Sequence, residues 1–153
     1  MPVLSEGVTL LKHFAQNESK LATLYLRYSE RFPEINLFGR LADDEKRHAA
    51  YLFDLDERFH EEALAWPLSE NAPLILEYIS NFIDECLERV SQKEFTLEDA
   101  LDSALSLEQS MIEKKTFTMF KTSNPEIIAI LQKLNLETDK HWQAIAKYKT
   151  KDI

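Results

Sequence analysis

The chain lacks much of what other folds and functions require. Cys86 is its one cysteine in 153 residues, so no internal disulfide can form. With no CxxC pair, a thiolate-held zinc or iron module is excluded. Only two glycines and five prolines occur, a composition that favours helices over strands. Positive charge is scarce: 18 Lys and Arg stand against 27 Asp and Glu, a formal net charge of −9. That balance disfavours nucleic acid and anionic membrane as partners, since both need cationic surface. It reads first as solubility and second as an attraction for metal cations. No apolar run approaches the ~20 residues needed to span a bilayer. The opening MPVLSEGVTLLKHFAQNE has no uninterrupted apolar stretch of the signal-peptide kind. The expectation is a soluble cytoplasmic protein with one domain over 1–153, long enough to bury a real core.

What is present is helical periodicity. A first helix is expected over 5–31, with Leu4, Val8, Leu11, Ala15, Leu21, Ala22, Tyr25 and Tyr28 at three-and-four spacing. Pro33 separates it from a second helix over 34–64, with Phe38, Leu41, Leu52, Leu55 and Phe59 inward, ended by Trp66-Pro67. The short connection makes the two antiparallel neighbours. A link over 68–95 contains its own helix, in which Cys86 reads as a small core residue. Thr96-Leu97-Glu98-Asp99 resembles a capping box with Asp in place of Glu, and opens a third helix over 97–121. Ser123-Asn124-Pro125 breaks it and starts a fourth over 125–148, before a frayed tail KTKDI. The result is two helical hairpins joined by a long crossover, a four-helix bundle.

Two octets carry the chemistry. LADDEKRH (41–48) and LNLETDKH (134–141) both run from Leu to His. In the first, Glu45 and His48 are three apart, ~60° around a helix, and share the face of Leu41, Leu52 and Leu55. Glu18 lies in the apolar stripe of the first helix, Glu108 in that of the third, and His141 between Leu134 and Ile145 on the fourth. A Glu from each of two helices plus a Glu-x-x-His pair from each of two more is how four-helix bundles hold two metal ions. The second octet departs from this, because Thr138 stands where the Glu should be. Glu137, four before His141 and ~40° from it, is a conditional substitute ligand. Carboxylates with imidazoles suit iron(II) or manganese(II), and zinc can also occupy such sites. Tyr25, seven after Glu18, shares its face as a core residue or a hydrogen-bonding neighbour of the site. His13 and His60 point elsewhere, towards solvent. Asp44 and Asp139 read as solvated surface charge, with a carboxylate orienting a histidine as the alternative.

FAQNESKLATLY, LADDEKRHAAYLFDL, ALSLEQSMIEK and LNLETDKHWQAI together resemble the rubrerythrins of the ferritin-like superfamily, over nearly the whole chain. The resemblance implies a non-haem di-iron protein with ligands Glu18, Glu45, His48, Glu108 and His141. It further implies peroxide reduction, or oxidation or storage of iron, at iron(II) ions that supply the electrons. Three features depart from the family. Thr138 replaces a ligand, and Met111 occupies the position of an additional carboxylate. No rubredoxin-like domain is present, so electrons would come from a separate donor. Two other classes stay open: a redox-inactive metal-binding or interaction bundle with a degenerate or mononuclear site, and a helical protein without metal. Long helices with apolar remainders also suggest a homodimer.

Overall fold

A computed structural model describes residues 8–67, 71–113 and 120–151. Among these residues the chain is all-helical: α1 (Leu10–Arg31), α2 (Leu37–Arg58), α3 (His60–Leu64), α4 (Asn71–Arg89), α5 (Leu97–Glu113) and α6 (Pro125–Lys151). None of these helices is long and apolar enough to cross a membrane.

The ends are set by local chemistry. The Thr9 hydroxyl accepts the Lys12 amide at 3.0 Å and caps α1. At the other end Arg31 lies in the last turn, where its charge suits the helix dipole, and Pro33 follows. The expected capping box opens α5 reciprocally. The Asp99 amide donates to Thr96 Oγ1 (3.1 Å), and the Thr96 amide donates to Asp99 Oδ2 (3.0 Å). Asn124 Oδ1 accepts the Glu126 and Ile127 amides, with Pro125 as the first residue of α6.

Several boundaries differ from expectation. The first helix, expected from 5, starts at Leu10, where Thr9 caps it, and the fourth, expected to end at 148, runs on through Lys151 of the tail. The second helix does not run unbroken from 34 to 64. It begins at Leu37 and stops at Phe59, whose backbone (φ −122°, ψ 29°) leaves the helical region before α3 resumes. Neither glycine nor proline marks that break. Asp56, just before it, accepts the Thr9 hydroxyl and contacts the His60 ring, a tertiary tie that no local pattern announces. The third helix does not continue to Lys121 either, since 120–124 are non-helical. Phe120 instead buries its ring against Phe14 (centroids 5.6 Å) and Trp66 (5.9 Å). Residues 5–7 of the expected first helix, the expected start at 68, residues 114–119 and the last two tail residues lie outside the described residues.

The core has two apolar clusters. One gathers Tyr25, Tyr28, Phe38, Ile83, Leu101 and Ile145, and the other Leu11, Phe14, Leu52, Leu76, Phe120 and Leu131. α1, α2, α4 and α6 each pass from one cluster to the other, and the order gives their direction, whereas the buried apolar residues of α5 all belong to the Tyr28 cluster. α1, α4 and α6 run from the Phe14 cluster to the Tyr28 cluster, and α2 runs the opposite way. The chain leaves α2 in the Phe14 cluster, and α4 carries it back, so α5 starts at the same end as α2. The turn from α4 to α5 is clamped by Arg31, whose guanidinium donates to the carbonyls of Val90, Gln92, Lys93 and Phe95 at 3.0–3.2 Å.

Candidate metal centre

Between the two clusters lies a layer of buried charge. Glu18 on α1, Glu45 and His48 on α2, Glu108 on α5 and His141 on α6 are each at most 5% exposed. Helical spacing delivers them there: each takes a place in a mostly apolar inner stripe, which also buries Asn17, Ser103 and Thr138.

Their ligand atoms form two groups. Glu18, Glu45 and His48 make one, and Glu45, Glu108 and His141 the other, with the atoms of each group within 4.8 Å of one another. Glu45 belongs to both. Its Oε2 lies 3.2 Å from His48 Nδ1 and its Oε1 lies 2.9 Å from His141 Nδ1. Each carboxylate oxygen therefore faces a different histidine, and the two rings stack with centroids 5.5 Å apart. Both oxygens of Glu18, both of Glu45, Oε2 of Glu108 and Nδ1 of both histidines are buried without a hydrogen-bond partner. The Glu45 oxygens and the two Nδ1 atoms lie within ion-pair distance of one another, but both oxygens of Glu18 and Oε2 of Glu108 make no hydrogen bond, which is costly for buried carboxylates unless a proton or a cation joins them. The donor set of carboxylate oxygens and imidazole nitrogens fits iron(II), manganese(II) or zinc.

The outer ring nitrogens are satisfied crosswise. His48 Nε2 pairs with Glu137 Oε2 at 2.9 Å, and His141 Nε2 pairs with Asp44 Oδ2 at 3.0 Å. Glu137 precedes His141 by four residues and Asp44 precedes His48 by four, so each octet supplies the carboxylate that holds the other octet's histidine. Glu137, conditionally expected as a ligand, is thus placed on the outer side of His48 and belongs to neither ligand group. Asp44 is half-buried and also pairs with Arg47. Aligning the octets, Asp44 with Glu137 and His48 with His141, was the signal that could have revealed its place.

Tyr25 is fully buried and donates to Glu108 Oε1 at 2.8 Å. Thr138 is buried beside His141 on the inner face of α6. Asp139 is exposed and accepts Gln143. His13 and His60 are half-buried and lie outside both ligand groups; His60 contacts Asp56.

The electrostatics follow from burial and crowding. Burial, then the nearby Glu45 and Glu108 carboxylates, pushes Glu18 well above the usual carboxylate range. Burial raises Glu108 as well. Burial also opposes charge on Glu45, yet the neighbouring Glu18, His141 and His48 groups hold it low and ionised. Burial would lower both histidines. Glu45 outweighs it at His48, and Glu108 with Glu45 lift His141 to about 11. Tyr25 is raised by burial and by Glu108 and Glu45. No protein-family model, curated protein or solved structure matches this chain.

Proposed function

We propose that this chain is a ferritin-like, rubrerythrin-like metal-binding protein that holds a pair of divalent ions, iron first among them, in the buried carboxylate and histidine layer. The observation that supports the reading best is the sharing of Glu45 between two ligand groups, beside Glu18 oxygens and a Glu108 Oε2 that make no hydrogen bond. Glu18 and His48 would complete one position, and Glu108 and His141 the other. Two iron(II) ions held there would supply electrons to peroxide or dioxygen, making the protein a peroxide-reducing or iron-oxidising oxidoreductase fed by an external electron donor.

The protein's own part is placement. Two divalent ions bring four positive charges, and Glu18, Glu45 and Glu108 offset three. Asp44 and Glu137, bonded to the outer nitrogens of the histidines, add negative charge one ring away. This compensates for the carboxylate missing at Thr138 and fixes each histidine with its Nδ1 inward. Tyr25 holds Glu108 from behind and keeps one of its oxygens out of competition. The apolar clusters on either side exclude water from the layer.

Buried Thr138 favours a second reading, a redox-inactive bundle with a single metal. Elemental analysis after anaerobic loading with iron(II) separates the two. Two irons per chain with a peroxide-dependent absorbance change support the first. One zinc per chain without a redox response supports the second, and no bound metal rejects both.

A further inference from the structure

We propose that the seam between α1 and α4 is a binding cavity and entrance for dioxygen. The proposal deepens the metal-binding reading above by naming the oxidant admitted to that site. A small cavity lies in this seam. Asn17 and Glu18 of α1 form one wall, Leu76, Ile79 and Ile83 of α4 another, and Leu107 of α5 closes the far side. The centre of a water-sized sphere can move through about 10 Å³ of it, roughly the lower limit for one small guest. Apart from Asn17 and Glu18, every lining side chain is apolar. The Asn17 amide nitrogen is already engaged with the Leu76 carbonyl at 2.9 Å.

The cavity has an outer neighbour. Asn17 also lines a solvent-open groove with His13, Gln16, Lys20, Phe53 and Ser80. One side chain thus borders both spaces, and its bond to Leu76 pins α1 to α4 at the partition. On the inner side the cavity reaches Glu18, a residue of the first ligand group. A guest entering past Asn17 therefore arrives beside the charged layer where members of the two apolar clusters, Ile79, Ile83 and Leu107 of one and Leu76 of the other, meet.

The walls select the guest. Hydrogen peroxide would give up several hydrogen bonds to water on entering a hydrocarbon-lined space, which is costly. Dioxygen has none to give up, and small apolar cavities take up such molecules while staying dry. Charged oxidants are excluded on the same ground.

Methyl NMR of the metal-free protein under dissolved dioxygen, which is paramagnetic, tests this directly. Relaxation at the methyls of Ile79, Ile83 and Leu107 should be enhanced several-fold over that at Ile127 and Leu131 in the other cluster. Ile79→Phe, filling the space, should remove the difference. If that variant does not fold, Leu76→Ala should enlarge the space and increase the enhancement. Uniform relaxation across both groups overturns the proposal, as does cross-relaxation from a trapped water at the same methyls. The measurement needs no metal, so its failure is distinct from failure of the metal count.

Discussion

Glu137 on α6 holds the outer nitrogen of His48 on α2 at 2.9 Å, and the position three residues before His141 is left to Thr138. A carboxylate one residue before the position that Glu45 holds in the first octet supports the opposite helix's histidine. With the matching Asp44–His141 bond, it links α2 and α6 by two reciprocal ties across the charged layer.

Support and ligation give different outcomes on mutation. Glu137→Ala should weaken metal affinity by about 10- to 100-fold while leaving the number of ions per chain unchanged at saturation. Asp44→Ala should do the same. Competition titration with a chelator dye measures both quantities. A drop in stoichiometry for Glu137→Ala would make Glu137 a ligand after all.

The shared carboxylate should matter more than any other. Glu45→Gln removes a donor from both ligand groups and is expected to abolish tight binding at both positions. Glu18→Gln removes one donor from one group and should leave the position formed by Glu45, Glu108 and His141 occupied. His48→Ala should lose the ion beside Glu18. Elemental analysis of the three variants checks the ranking, and unchanged iron in His48→Ala would remove that histidine from the ligand set.

Restoring the absent carboxylate should have opposite effects on the two states. Thr138→Glu places a further acid in a buried layer, so the metal-free protein should lose about 1–3 kcal/mol of stability. The loaded protein should gain metal affinity, because the added charge meets the uncompensated charge of the ions. Thermal melts with and without zinc should therefore move in opposite directions. Equal shifts in both states would mean that position 138 does not face the ions.

Protons and metal compete for the same atoms. His141, lifted to about 11, is protonated at neutral pH in the metal-free protein, whereas a ligating imidazole must be neutral. Zinc addition at pH 7 should thus release at least one proton, visible with an indicator in weak buffer, and affinity should rise as pH rises. For the metal-free fold the sign is reversed. A histidine with a raised pKa contributes stability that is full below its unfolded value of about 6.5. That contribution is lost as pH climbs through about 11. Glu45, held low, contributes stability present above the ordinary carboxylate range and lost in acid. A pH series of thermal melts on metal-free protein checks both arms.

Sequence periodicity was enough to place the long helices and their inner faces, because an apolar stripe is a local pattern that survives a few buried polar residues such as Asn17, Ser103 and Thr138. The capping box at Thr96 and Asp99 was legible for the same reason: it is local. The break at Phe59 was not, since it carries no glycine or proline and is tied from α1 through Thr9 and Asp56. The five groups of the charged layer could be chosen from spacing alone. The partners of the outer nitrogens could not be read from either helix by itself, only from the alignment of the two octets, because Asp44 and Glu137 act across helices. Their bonds depend on how α2 and α6 face each other, which no single-helix pattern encodes.

Arg31 ends the helix that bears Glu18 and clamps the turn from which the helix bearing Glu108 departs. One rod is therefore the ruler for the depth of both acids. Sliding α5 by a single residue would displace Glu108 by about 1.5 Å, whereas coordination distances tolerate only about 0.2 Å. The relative depth of the two acids is consequently gauged by a guanidinium at the remote end of α1, which touches neither of the groups it aligns.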